Sequence, residues 1–320
     1  MSSISDPNLP QGEPASKPEK SAALGTVFMG PNGLRAGWRL SIYVVLVAAI
    51  GFIVVTAVRF IGKHFGSGQP PAPGVLAPID LITSELIVAF IVIIAAVIMS
   101  RIEKRPFGAY GIPMNRALGL RFWQGMLWGL VMVSVLVGAI ASTGAYSFGP
   151  LALGHTGIIR NGLLWLLGFF LVGVFEEFTF RGYTQYTLAS GIGFWFAAVV
   201  LSLAFGALHL ANPGEGPVGA LSVFAIAMFF CLTLRRTGDL WFPIGVHCSF
   251  DWGETFLYSV PNSGTTTAGA LSHSTLHGAK WITGGSIGPE GSLFCFLIIA
   301  AAILLFHRLY PAPPSVISKA

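Results

Sequence analysis

Residues 162–184 read GLLWLLGFFLVGVFEEFTFRGYT, an apolar run broken near its end by Glu176, Glu177 and Arg181. The run matches the ~20 residues of helix needed to cross a hydrocarbon core, so it predicts a membrane span. Each charge at bilayer depth costs about 2.5–3.5 kcal/mol on insertion scales, and three together mark a place where chemistry is expected.

The rest of the chain reads the same way. Of its 320 residues, 54% are hydrophobic and only 10% charged, and mean hydropathy is +0.74, too apolar for a soluble domain of this size. Eight spans are expected, roughly over 40–61, 79–100, 122–144, 162–184, 193–211, 217–234, 240–260 and 289–307, with a short interfacial piece over 181–190 after the fourth. The fold class is therefore all-α, a polytopic transmembrane helical bundle. Residues 1–28 are rich in Ser, Pro, Lys and Glu and read as a disordered cytoplasmic tail. Residues 29–150 then hold the first transmembrane helices, 151–262 the core with the polar motifs, and 263–320 a polar loop and a last span.

Cys231, Cys248 and Cys295 fall in apolar segments without CxxC spacing and read as packing residues. With a cytoplasmic N-terminus, only Arg59, Lys63, Arg160 and Lys280 face outward, and the other fourteen of the eighteen basic residues lie inside. Both termini are then cytoplasmic, and Trp38, Trp123, Trp195 and Trp241 stand at or near the cytoplasmic starts of spans as interfacial anchors. The net charge of +5 reports this topology and gives no reason to expect nucleic acid.

Within the spans the polar groups fall in three places. In Glu176-Glu177-Phe178-Thr179-Phe180-Arg181 the i, i+4 spacing lets Glu177 pair with Arg181, while Glu176 projects about 100° away and stays free to act as a base toward water. Phe205-Gly206-Ala207-Leu208-His209 is the second place. The third, His247-Cys248-Ser249-Phe250-Asp251, aims His247 and Asp251 at one site by the same spacing. Plainer roles stand beside these: Glu177 with Arg181 as a structural clamp, either histidine as a packing residue, and Glu254 as a snorkelling group or a partner of Trp252 or of a neighbouring helix. His273, His277 and Glu103 read as solvated.

The ordered set EExxxR, FxxxH and HxxxN/D resembles the CaaX protease and bacteriocin-processing family, also called the Abi family, of intramembrane endopeptidases. The resemblance covers about residues 160–260. It implies a peptidase that needs no metal or other cofactor and acts on a peptide or protein substrate, lipidated or not, among membrane lipids. Carried over, Glu176 is the general base and His209 holds the attacking water. His247 and Asp251 stabilise the oxyanion or position the carbonyl, with Glu177, Arg181 and Phe205 in support. Asp251 stands where family members usually carry Asn, so the oxyanion donor would be His247, its tautomer set by Asp251. Glu176, His209, His247 and Asp251 are accordingly expected to share one polar cavity. Two other readings use the same groups: a zinc metalloprotease on Glu176, His209 and His247, and a transporter or non-catalytic membrane scaffold.

Overall fold

Apolar runs of this length close into helices because hydrocarbon offers no partner for a backbone N–H or C=O. The structure, a computed structural model, describes residues 28–30, 33–65, 75–212 and 214–311; the tail expected over 1–28 lies outside them except for Phe28. In chain order come α1 (Ala36–Phe65), α2 (Pro78–Ile102), α3 (Leu120–Ser142) and α4 (His155–Glu177). A π-helical stretch, Phe178–Tyr183, leads into α5 (Thr184–Ile192), followed by α6 (Phe194–His209) and α7 (Pro217–Thr237). Then α8 (Trp241–Trp252) runs on into a π-helical turn, Gly253–Leu257, and after the short α9 (Lys280–Thr283) the last long helix is α10 (Leu293–Leu309). Helices α1, α2, α3 and α7, and the continuous run His155–Ile192, are long and apolar enough to cross a membrane, while Phe194–His209 and Leu293–Leu309 are shorter apolar helices.

The stretch over 181–190, expected as a short interfacial piece, is helical over most of its length. The chain kinks at Gly182 before α5 runs to Ile192, and Arg181 is buried, because its guanidinium finds its partners inside the bundle. The connection over 261–288 is also more ordered than a polar loop. Its strands β3 (Thr266–Thr267) and β4 (Thr275–Leu276) pair with β1 (Val75–Leu76), in parallel, and with β2 (Tyr146–Ser147), antiparallel. These pairs tie together the connections at one end of the bundle.

Helix α8 is the central element, packed against α3 and α4, while α2 flanks α4 and α6 packs on α7. Gly125 and Gly129 of α3 let it come close: a Cβ on either would collide with the Phe242 or Val246 carbonyl of α8, and one on Gly245 would strike the Phe122 carbonyl. Small residues four apart permit this backbone approach between apolar helices.

The other end carries most of the basic residues, and their partners are specific. Arg39 pairs with Glu103, Arg116 with Asp239, and Arg236 lies 2.8 Å from His307. Glu103 is thus not a solvated charge: its side chain is 8% exposed, and it accepts from Tyr183 Oη at 2.6 Å and Tyr110 Oη at 3.2 Å as well. Trp241 is not an interfacial anchor either; it is buried and donates its indole N–H to the Pro113 carbonyl, whereas Trp38, Trp123 and Trp195 are exposed.

Candidate active site

The site begins where α4 widens. A π turn carries five residues in its hydrogen-bonded ring where an α turn carries four, and such turns recur at functional sites. Here it starts directly after Glu176 and Glu177, with Gly182 taking non-helical angles (φ −83°, ψ −117°). Glu177 is fully buried, and its Oε1 accepts from Arg181 Nη1 at 3.3 Å, the expected i, i+4 pair. The guanidinium is caged by rings: its carbon lies 4.6 Å from the centroid of Phe205, 5.7 Å from Phe230 and 5.9 Å from Phe180. Phe205 of the FxxxH segment thus lies face-on to the buried cation.

His247, on the second turn of α8, joins the two glutamates. Its Nδ1 lies 3.0 Å from the same Glu177 Oε1 that meets Arg181, and its Nε2 lies 3.5 Å from Glu176 Oε2 and 3.4 Å from Asp251 Oδ2. The ring stacks on Phe230 at 5.4 Å. A carboxylate only accepts, so both ring nitrogens are placed to donate. The tautomer expected to be set by Asp251 is instead held at Nδ1 by Glu177, and Asp251 shares Nε2 with Glu176. Glu177 reaches His247 from the last turn of α4, a pairing between two helices that spacing within one helix does not foresee.

These groups face a cavity of about 180 Å³ lined by Glu176, His209, His247 and Asp251, with apolar walls from Phe169, Val172 and Ile299 among others. The four expected residues thus share one cavity. They do not form one hydrogen-bonded cluster: His209 bonds through Nδ1 to the Phe205 carbonyl at 2.9 Å, and no described hydrogen bond or ion pair links it to the other three. Since a carbonyl cannot donate, Nδ1 carries the proton and Nε2 is left as an acceptor.

Two carboxylates on the wall escaped the sequence reading. Glu85 of α2 lines the cavity with one oxygen buried and unpartnered, and it carried the same signal as Glu176, a carboxylate within a span. Glu290, in the 3-10 turn Pro289–Gly291, accepts from the backbone N–H of Ser263 at 2.7 Å and its hydroxyl at 2.8 Å. Burial pushes its carboxyl up to about 7, with the charge of Asp251 adding to the effect. Glu254 neither snorkels nor meets Trp252. It is fully buried with both oxygens unpartnered, and Trp252 donates to the Gly162 carbonyl. The three cysteines are free and buried, as packing residues are. Among the described residues no group of three or more His, Cys, Asp or Glu is arranged to hold a metal ion.

Residues 158–253 match the family model described as Rce1-like type II CAAX prenyl endopeptidase. The matched stretch contains all three polar motifs, so it is similar to the family that the motifs themselves resemble. No curated protein matches the chain.

Proposed function

We propose that the chain is a membrane-embedded endopeptidase in which Glu176 activates a water molecule for attack on a peptide carbonyl. The observation that carries this reading is the approach of Glu176 Oε2 to His247 Nε2, 3.5 Å, on the wall of the cavity. It sets a carboxylate base beside a hydrogen-bond donor, the pair that hydrolysis of an amide needs.

In this mechanism Glu176 takes a proton from water as the oxygen adds to the carbonyl carbon, and the Nε2–H of His247 stabilises the developing oxyanion. Glu176 then returns the proton to the leaving amine, so that one amide bond and one water become a carboxyl group and an amine. His209 Nε2 accepts from the attacking water and turns its lone pair toward the carbonyl. Asp251 holds the imidazole of His247 before substrate arrives. Glu177 fixes Nδ1 from behind, itself held by Arg181 beneath Phe205.

The matched family's description names CAAX prenyl endopeptidases; such motifs place a lipidated Cys near a C-terminus. The cavity walls of Phe169, Val172 and Ile299 suit an apolar peptide segment, lipidated or not. The charge of the end that carries Arg39, Arg116 and Arg236 supports a cytoplasmic position for that end.

The test uses purified protein and membrane peptides. Glu176→Gln keeps the shape and removes the base, and turnover should fall by at least about 10²–10⁴-fold. Wild-type cleavage should survive a chelator; loss that returns only with added zinc overturns the mechanism in favour of a metalloprotease.

A further inference from the structure

Helix α2 brings a further carboxyl group to the cavity. Glu85 lies outside the matched residues 158–253 and lines the cavity together with Glu176, His247 and Asp251. It is close enough to Glu176 and His247 for their charges to act on it. No described hydrogen bond or ion pair reaches it, and one of its oxygens is buried without a partner.

The packing of α2 on α4 fixes where Glu85 stands. A Cβ on Gly168 would lie 2.9 Å from Leu81 Cδ2, so Leu81 sits directly against the Gly168 backbone. The two helices run in the same direction: Leu81 clusters with Trp165, Phe169 and Val172, whereas Val92, Ala95 and Met99 cluster with Phe178 and Tyr183, beyond the end of α4. One turn on from the Gly168 contact, Glu85 is therefore level with Val172. Glu176 follows four residues further along α4, an axial step of about 6 Å, and both residues face the same cavity.

A carboxyl at bilayer depth that binds nothing adds no stability, and such groups are kept where they meet a substrate or move protons. Amide hydrolysis has a use for a second one. Water is activated by losing a proton, but the amine leaves only once its nitrogen has gained one, and the attacking oxygen and the nitrogen are separate atoms on the tetrahedral carbon. Two carboxyl groups offset along the cavity can serve one atom each.

We propose that Glu85 is a second catalytic carboxyl, which hands the leaving nitrogen the proton that Glu176 takes from water. The inference rests on the reading of the chain as an endopeptidase and gives the returning proton its route. Glu85 takes the proton from Glu176 and gives it to the nitrogen as the C–N bond breaks with its electron pair on nitrogen. Glu85 ends as it began, Glu176 is restored as the base, and one amide and one water have become a carboxyl group and an amine.

The two carboxyl groups are separated by varying the leaving group. The probe is the quenched fluorogenic peptide that wild-type protein cleaves fastest from a library that includes prenylated peptides ending in a CAAX motif, used alongside the same sequence with a thioester in place of the scissile amide. A thiolate leaves without a proton, so the thioester needs Glu176 but not Glu85. Glu176→Gln should lose both activities. Glu85→Gln should lose about 10²-fold in kcat on the amide with KM unchanged, and stay within about threefold of wild type on the thioester. Full amide turnover by Glu85→Gln, or an equal loss on the two probes, overturns the proposal. The ratio of the two turnovers in one preparation does not depend on how much of the protein is folded, so a less stable variant still gives a readable result. Glu85→Asp keeps a proton carrier and should have a higher ratio of amide to thioester turnover than Glu85→Gln; an equal or lower ratio also overturns the proposal. Full cleavage by Glu176→Gln defeats the enzyme mechanism, whereas wild-type behaviour of Glu85→Gln defeats this inference alone.

Discussion

The basic end of the bundle and its interior treat their charges in opposite ways. At the basic end Arg39, Tyr183 and Tyr110 converge on Glu103, and Asp239 accepts from Arg116. In the interior, Glu85 keeps a buried oxygen without a partner, Glu254 keeps two, and Glu176 meets only a histidine. A paired charge holds elements together, and its removal leaves an unsatisfied partner. A charge left open in a cavity contributes no such support and is retained where it meets a ligand or solvent. Substitutions at the two kinds of site should therefore separate stability from turnover.

Arg181 gives the largest expected effect on folding, since it is buried and binds Glu177 beneath three rings. Arg181→Ala leaves Glu177 buried without its cation, and stability should fall by about 3–5 kcal/mol. Thermal unfolding in detergent and protein yield would read this; normal accumulation with full proteolysis breaks the assignment of Arg181 as the brace for Glu177. Gly129→Ala comes next, because its Cβ meets the Val246 carbonyl and Ser249 hydroxyl of the helix that carries His247. A loss of about 1–3 kcal/mol is expected, with turnover per folded molecule falling as His247 is displaced. Lowered stability with unchanged turnover would show that α8 can shift without moving the site.

Glu103→Gln keeps an acceptor for the two tyrosines while losing its charge, so a cost of about 1–2 kcal/mol is expected with turnover unaffected. Paired with Glu176→Gln it forms the sharpest contrast, one variant losing stability and the other activity. The smallest effect concerns pH. The folded-state carboxyl of Glu290 sits at about 7, above its ordinary value of 4.5, so the folded protein favours the protonated form. Its contribution to stability is full below about pH 4.5 and is lost as pH rises through about 7. Glu290→Gln should flatten the melting temperature over that window, and an unchanged slope would assign the pH dependence to other groups.

Much of the site was legible because its signal is local. Glu177 and Arg181 pair at i, i+4 as expected, and His247 reaches Asp251 by the same spacing. The motifs also share a cavity although they sit on different helices. What could not be read depends on distant partners or on irregular backbone. Glu103 reads as solvated until Arg39 and Tyr183 arrive from positions 64 and 80 residues away. The strands over 266–267 and 275–276 are two residues long and have no periodicity to detect. Trp241 carries the signature of an anchor, yet the Pro113 carbonyl draws it inward. Glu85 was legible and passed over: the cost argument that singled out Glu176 applies to it equally.

The stretch over Phe178–Tyr183 also sets a direction. Gly182 leaves the helical region (φ −83°, ψ −117°), so α4 and α5 meet at a kink and are not one straight rod. Before the bend stand Glu176, which lines the cavity, and Glu177, buried against His247; after it stand Gln185 and Thr187, buried on α5. The bend is a corner in the scaffold: helical angles at Gly182 would carry α5 straight on along the axis of α4 and pull Gln185 and Thr187 out of the places where they are buried.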